Sequence, residues 1–522
     1  MKTEPAWTND RIPHFSAVSQ DGEFDVVVVG GGITGLTAAY LAKQAGLKVC
    51  LIERDRLASG DTSLTTAHLT QVTDLRLHEI VENFGRDAAR MVWQGGQSAI
   101  NTIEQIARRE KIDCEFRRVP GFLHACLSAD QERDERKDFE AEYELGRELG
   151  FSPTFLPEVP WMKKVGVVYP NQAKFQPLLY LAGLAAAIPG NGCEIHEQTE
   201  MDTCEGEESL EVKLKSGHTL RCRWVFFATH VPLMGKTSML WATVLQSCLY
   251  PYSSYVIGAK LPKGLLPEAS WWDTSDPYYY LRIDSHEKED YAIFGGQDHK
   301  TGQESDTEAC FQRLEAKLRE ILPQAQPDLR WSGQVIETND GLPYIGETSA
   351  HQFAATGFSG NGMTFGTLSA MMFCDYIQGR DNPWKDLFAM NRHMLHGGLL
   401  EYLKQNIDFP YYLVTDSLKP AEAKSTRSVR RGQGKIVMVN DQKAACYRDE
   451  TGKLSMVSPV CTHMGCLVHF NDAEKTWDCP CHGSRFSTTG EVIGGPAEAP
   501  LEKIEQKKPA KGTNTNTLPQ EA

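Results

Sequence analysis

Residues 23–55 read EFDVVVVGGGITGLTAAYLAKQAGLKVCLIERD, and this stretch decides the fold. Val26–Val29 is a short β-branched apolar run of the kind that fills a buried parallel strand. Gly30, Gly32 and Gly35 follow in GxGxxG spacing; residues 35–45 then have helical composition, and Gly46 is placed to stop the helix. Residues 47–53 form the next strand, so the segment predicts one βαβ unit. Each glycine has a task. Gly30 permits the tight turn, Gly32 lets backbone approach a pyrophosphate, and Gly35 lets helix and strand pack closely. The phosphates then meet the helix N-terminus, and Glu53, about twenty residues beyond the glycines, accepts hydrogen bonds from an adenosine ribose. The pattern predicts dinucleotide binding but does not choose between NAD and FAD.

Downstream, residues 85–111 and 130–150 read as long helices. The second, opening DQERDERKDFEAEYE, is nearly all charge and reads as a solvated face without a partner. Residues 193–228 read as a short meander ending in an apolar strand at 224–228. Residues 250–302, rich in aromatic and β-branched residues, predict a second, mostly antiparallel sheet. At 357–378 a glycine-rich turn and a helix return. Two distant segments therefore complete one nucleotide-binding domain, with the antiparallel domain inserted between them.

Composition narrows the classes. A net charge of −15 argues against nucleic acid, whose phosphates call for concentrated Lys and Arg. The longest apolar stretches, such as 178–188, fall short of the ~20 residues a bilayer needs, so no membrane span is expected. The N-terminus, MKTEPAWTNDRIPHF, has neither a basic start before an apolar core nor a twin Arg, and a cytoplasmic protein is expected.

Of the 14 cysteines, ten are scattered from Cys50 to Cys446 and four crowd between Cys461 and Cys481. The crowded stretch reads CTHMGC, then CPCHGSRF, with 15 residues between His463 and Cys479. One cysteine and one histidine in each of two loops (Cys461, His463; Cys479, His482) suit a [2Fe–2S] cluster with thiolates on one iron and imidazoles on the other. The same four side chains can also make a tetrahedral Cys₂His₂ zinc site.

Two resemblances add to this reading. Residues of about 24–380 resemble the FAD-dependent family that includes D-amino-acid oxidase, glycine oxidase and sarcosine oxidase. The resemblance is carried by the fingerprint, SGDTSLTTAHLT, WVFFATHVP, WSGQVIETNDGLPYIGE and FAATGFSGNGMTFGTLSA. It implies FAD, with Ser63, Thr65 and Thr66 near the pyrophosphate and ribitol. It also implies that Gly357, Gly360, Asn361, Gly362 and Met363 close over the flavin, and that Tyr280 and Arg282 are candidates to grip a substrate carboxylate, an ordinary strand arginine being the equal alternative at 282. With no second GxGxxG, no separate NAD(P)H domain is expected.

The C-terminal loops resemble the Rieske family over about eighty residues, which implies iron rather than zinc. By that resemblance Cys466 and Cys481 form a disulfide tying the loops, and Gly494-Gly495-Pro496 covers the cluster. Ser484 matches a residue that hydrogen-bonds sulfur in high-potential members, whereas Phe486 stands where those members carry Tyr.

The expected architecture is thus a Rossmann-like α/β FAD-binding domain with an inserted antiparallel α+β substrate domain, plus an all-β Rieske domain. Residues 1–23 are expected to be a flexible lead-in and 24–400 the oxidoreductase, with FAD-binding segments at about 24–80, 193–240 and 335–380. Residues 401–426 are a linker, 427–505 the Rieske domain and 506–522 a disordered tail. His393, His396 and Glu401 read as an ordinary helix surface, and Arg427, Arg430, Arg431 and Lys435 as a solvated junction. The expected function is oxidation of a small amine or amino acid by hydride transfer to FAD, with electrons leaving through the cluster to an unidentified one-electron acceptor. The alternative is an electron-transfer protein serving a protein partner without an amine substrate.

Overall fold

The fold is that of a computed structural model, which describes residues 1–8, 10–231, 248–392, 411, 412, 415 and 419–505. His393, His396, Glu401, most of the expected linker and the expected tail lie outside the described residues.

The strands Val26–Val29 and Val49–Ile52 are buried at every position, as parallel strands covered on both faces must be. They form the middle of a six-stranded sheet in the order Tyr344–Ser349, Gln352–Thr356, Trp224–Phe227, Val26–Val29, Val49–Ile52, Glu194–His196. All pairings are parallel except the one between Tyr344–Ser349 and Gln352–Thr356. The strand Glu194–His196 joins this sheet rather than the adjoining meander. Helices Ile33–Gln44 and Gly362–Ile377 pack on each other so closely that a Cβ at Gly366 would lie 2.5 Å from Thr34 Oγ1. The late glycine-rich turn and the first βαβ unit therefore belong to one domain.

The second sheet is wider than residues 250–302. It has ten strands, and Gln326–Thr338, Arg117–His124 and Gly166–Lys174 extend it on either side of Leu249–Pro262, Ser270–Asp273, Tyr280–Ser285 and Glu289–Lys300. Helix Thr307–Ile321, capped by Asp306 accepting from the Ala309 N–H at 3.0 Å, covers a core containing Tyr255, Trp271, Phe294 and Phe311.

Two expectations are corrected. The N-terminal residues are bound to the body and not loose. Lys2–Thr3 pairs with Gln326–Thr338, Trp7 donates to the Thr65 carbonyl at 2.6 Å, and Ile12 is in the main core. Their apolar residues are too sparse to show a period, yet each finds a long-range partner. The charged helix is also shorter than 130–150. It runs over Arg136–Glu148 after a 3₁₀ turn at Ala129–Gln131, with Phe139 fully buried.

The C-terminal domain has an antiparallel sheet of Gln433–Val439, Gln442–Arg448 and Leu454–Val457. A second comprises His469–Asn471, Thr476–Asp478, Arg485–Ser487 and Val492–Gly494. It docks on the wide sheet and its helix. Thr307 donates to Asn471 Oδ1 at 2.9 Å, and Gln303 donates to the Pro480 carbonyl at 3.0 Å. His469 Nδ1 lies 2.8 Å from the Gly302 carbonyl.

Candidate active site and iron–sulfur centre

A cavity of about 1030 Å³ runs from the first glycine turn, between the two large sheets, to the C-terminal domain. At the turn, Gly30 has φ +113°, and a Cβ there would lie 2.4 Å from the Ala228 carbonyl oxygen. A Cβ at Gly35 would lie 1.9 Å from the Gly30 carbonyl oxygen, so only glycine lets the helix start this close to the strand. Gly32 caps the helix, and Gly30, Gly31 and Gly32 line the cavity. Glu53 accepts from the Gly31 N–H at 2.7 Å and the Asp55 N–H at 2.9 Å. Burial pushes its carboxyl up, against those hydrogen bonds. A glycine cradle that side chains would fill, at a helix N-terminus beside a carboxylate, fits the pyrophosphate and ribose of FAD.

Further along, Thr65, Thr66, Gly360, Asn361, Gly362 and Met363 line the same cavity. Asn361 is 5% exposed and donates to the Val72 carbonyl at 3.0 Å, while its Oδ1 has no hydrogen-bond partner. Gly357, at φ +74°, shapes the turn from behind, packed against Thr338. Ser63 is not on the wall; its hydroxyl donates to the Gly60 carbonyl at 2.8 Å. Thr62, one position before Ser63, takes the place beside Gly32, with Oγ1 3.4 Å from the Ile33 nitrogen.

The far lobe is walled by Asp74, Ser254, Tyr278, Tyr280 and Asp298. Tyr280 pairs with Gly295 across the sheet, and a Cβ at Gly295 would sit 2.1 Å from the tyrosine ring. The ring can lie over that strand only because glycine is there. Tyr280 is therefore on the wall, with its hydroxyl 2.8 Å from Ser254 Oγ.

Arg282 is not available to a substrate, which corrects the carboxylate-gripping role. It is 2% exposed, and its guanidinium donates to Asp284 (2.9 Å) and to the carbonyls of Thr66 (3.0 Å), Ala67 (2.9 Å) and Phe175 (3.0 Å). It clamps the backbone behind Thr66. The sequence reading missed Asp74, Ser254, Tyr278 and Asp298. The alternation of Tyr278 and Tyr280 in PYYYLRI was a usable signal, whereas nothing local marks the other three.

In the C-terminal domain, Cys461 and Cys479 are buried with their thiols hydrogen-bonded to each other, and the His463 and His482 rings stand perpendicular with centroids 4.9 Å apart. The loops bring two thiols and two imidazoles together. Burial pushes His463 and His482 down to about 4, His463 adding to the effect on His482, so both present the neutral imidazole that binds metal. Hydrogen bonding from Cys479 brings Cys461 down to about 7, while Cys479 is raised. The donor set fits a [2Fe–2S] cluster.

Cys466 and Cys481 are joined, S–S 2.08 Å, between the two loops. Their sulfurs lie close to that of Cys479, but a disulfide cannot supply thiolate ligands. Ser484 is fully buried, hydrogen-bonds the Cys461 thiol and accepts from the Ala497 N–H at 3.1 Å. Phe486 is equally buried. Gly495, at φ +85°, brings the 494–496 loop against Ser484, where a Cβ would lie 2.6 Å from the Ser484 Cα. Arg485, Gly494, Gly495 and Glu498 also line the flavin cavity, so the two halves share one space.

A cradle for a dinucleotide and a wall shared with a cluster domain define a flavin-dependent oxidoreductase fused to an iron–sulfur module. Residues 25–376 match the FAD dependent oxidoreductase family DAO, and residues 419–505 match the Rieske [2Fe-2S] domain. The chain belongs to the DAO family of FAD-dependent oxidoreductases and carries FAD and a Rieske-type [2Fe–2S] cluster. It is 34% identical over 509 residues to the Bacillus subtilis Rieske 2Fe-2S iron-sulfur protein YhfW, covering 96% of this chain and 97% of that one. It is 24% identical over 395 residues to gamma-glutamylputrescine oxidoreductase of Escherichia coli, covering 73% of this chain and 89% of that one. Glycine oxidase from Geobacillus kaustophilus superposes with a TM-score of 0.59 at 19% identity, over 71% of this chain and 99% of that structure, a likeness of fold. No helix among the described residues is long and apolar enough to cross a membrane.

Proposed function

We propose that this protein is a dehydrogenase acting on the C–N bond of a small amine or amino acid, with the electrons leaving through the cluster to an external one-electron acceptor. One observation carries the reading: the loop bearing Cys479 and His482 rests on the flavin domain, and residues of the cluster domain complete the flavin cavity. A cluster placed for an unrelated task has no need of that wall. FAD supplies a two-electron hydride acceptor and the cluster a one-electron carrier. The chain's own part is to hold the dinucleotide on Gly30, Gly32 and Glu53, to orient the substrate against Tyr280 and its neighbours, and to keep the second domain docked. The relatives named for gamma-glutamylputrescine and glycine support a nitrogen-bearing substrate. A cytoplasmic setting remains part of the proposal.

The test is a cluster-free protein. His482→Ala should retain FAD and still be bleached by substrate under anaerobic conditions, but lose turnover with a c-type cytochrome as acceptor. Unchanged turnover with that acceptor would remove the cluster from the route.

A further inference from the structure

We propose that the far lobe of the cavity, walled by Asp74, Tyr278, Tyr280 and Asp298, is a site for an ammonium group, and that the substrate is a cationic amine without a carboxylate rather than an amino acid. The inference rests on the dehydrogenase reading above and narrows its substrate class.

The polar groups of this wall form one connected chain. Asp74 accepts from the Gly360 N–H at 2.6 Å and the Tyr278 hydroxyl at 3.1 Å. The rings of Tyr278 and Tyr280 have centroids 5.8 Å apart, and Tyr280 reaches Ser254, which in turn hydrogen-bonds Asp298. Among the described residues, this wall carries no positive charge: none of their cations contributes to the field at either Asp74 or Asp298. Two acceptors are also left over: Asp298 Oδ1 and Asn361 Oδ1 are out of solvent and have no hydrogen-bond partner. Asn361, almost wholly buried, belongs to the turn assigned to the flavin, so the acceptor left over for a further ligand in this lobe is Asp298 Oδ1.

The cations on the cavity wall are committed elsewhere. Arg54 pairs with Asp55, Arg76 with Glu142, Arg133 with Glu135 and Arg485 with Glu474. Arg282 is committed to Asp284 and three carbonyls. A substrate carboxylate entering the lobe would meet two carboxylates and, among the described residues, no free guanidinium. An ammonium group, which only donates, would meet acceptors on several sides and two aromatic faces. Burial, with the Asp74 carboxylate adding to it and Ser254 opposing it, pushes Asp298 up to about 7, and an arriving cation offsets that penalty by pairing with the anion.

The experiment is anaerobic titration of the holoprotein with butylamine, 1,4-diaminobutane, 4-aminobutanoate and glycine. Flavin absorbance reads binding as a perturbation and reduction as bleaching. Both alkylamines should saturate at concentrations roughly tenfold or more below either amino acid, the worth of one charged hydrogen bond. Asp298→Asn should weaken the alkylamines by a similar factor and so remove most of their advantage over the amino acids, with FAD content retained. Asp74→Asn, which keeps an acceptor for Gly360, is the second variant and should act in the same direction. Amino acids saturating at equal or lower concentration, or both variants binding alkylamines as tightly as the parent, would overturn the proposal. Tight alkylamine binding without bleaching by any compound supports the ammonium site and contradicts the dehydrogenase reading; bleaching by glycine with no alkylamine binding does the reverse.

Discussion

The side-chain amide of Gln334 donates to the carbonyl oxygen of Gly483 at 2.9 Å, next to His482 in the second cluster loop. Gln334 is 5% exposed, also reaches Thr301 Oγ1 at 3.1 Å, and its backbone N–H donates to Asp61 on the flavin side at 3.2 Å. The strand that walls the flavin cavity therefore grips the loop that holds the cluster.

Gln334→Ala should loosen that grip. It leaves a buried carbonyl without its partner, at a cost of about 1–3 kcal/mol. Iron and FAD content should stay at parent levels, while stopped-flow transfer of electrons from flavin to cluster slows. An unchanged rate would mean that the contact is incidental.

Arg282→Ala should destabilise the protein and leave substrate choice alone. It removes the partner of three buried carbonyls, each left unpaired at about 1–3 kcal/mol, while Asp284 keeps Lys174 at 2.5 Å. A clear fall in melting temperature with an unchanged ratio of amine to amino-acid affinity is the expected result.

These two residues show what sequence can and cannot disclose. The glycine turn and the cluster loops were legible because their chemistry is local: Gly30 and Gly35 act on the next strand and turn, and Cys461 with His463 belongs to a single loop. Tyr280, singled out by the family resemblance as a substrate-binding candidate, does stand on the cavity wall. For Arg282, two positions on, the sequence leaves substrate grip and ordinary strand residue both open, because its partners Thr66, Ala67 and Phe175 lie far away in the chain. Asp74 and Asp298 were invisible for the same reason, since each acquires meaning only when the sheet brings it to the cavity. Trp7 and Ile12 were taken for a loose lead-in because two isolated apolar residues carry no period.

Ser484→Ala should lower the midpoint potential of the cluster. The Ser484 hydroxyl hydrogen-bonds the Cys461 sulfur, and such bonds favour the more negative, reduced state. A loss of roughly 60 mV corresponds to a tenfold change for one electron. Phe486→Tyr should move the potential the other way. Redox titration followed by electron paramagnetic resonance reads both, and a midpoint that neither change moves would contradict the hydrogen-bond account.

Amine binding should tighten as pH rises through about 7. Asp298 is pushed up to about 7 by burial, and only its anion attracts an ammonium group, so affinity is weak below that pH and levels off above it. Of the groups facing Asp298, the two tyrosines, His68 and Ser254 do not titrate there. Burial raises Tyr278 and Tyr280 far above neutrality and lowers the neighbouring His68 to about 4, while Ser254 stays neutral. Asp74, also raised, adds to the trend in the same direction. Half-saturation measured for butylamine from pH 6 to 8.5 tests this, and Asp298→Asn should flatten the profile.

The order in which the two centres are reduced tests the central claim most directly. Holoprotein mixed rapidly and anaerobically with an amine substrate should lose flavin absorbance first, with the cluster signal changing only afterwards and at the rate of flavin reoxidation. Reduction of the cluster first by a protein donor, with the flavin following and no amine able to bleach it, would show that electrons run the other way and that the protein is an electron-transfer module.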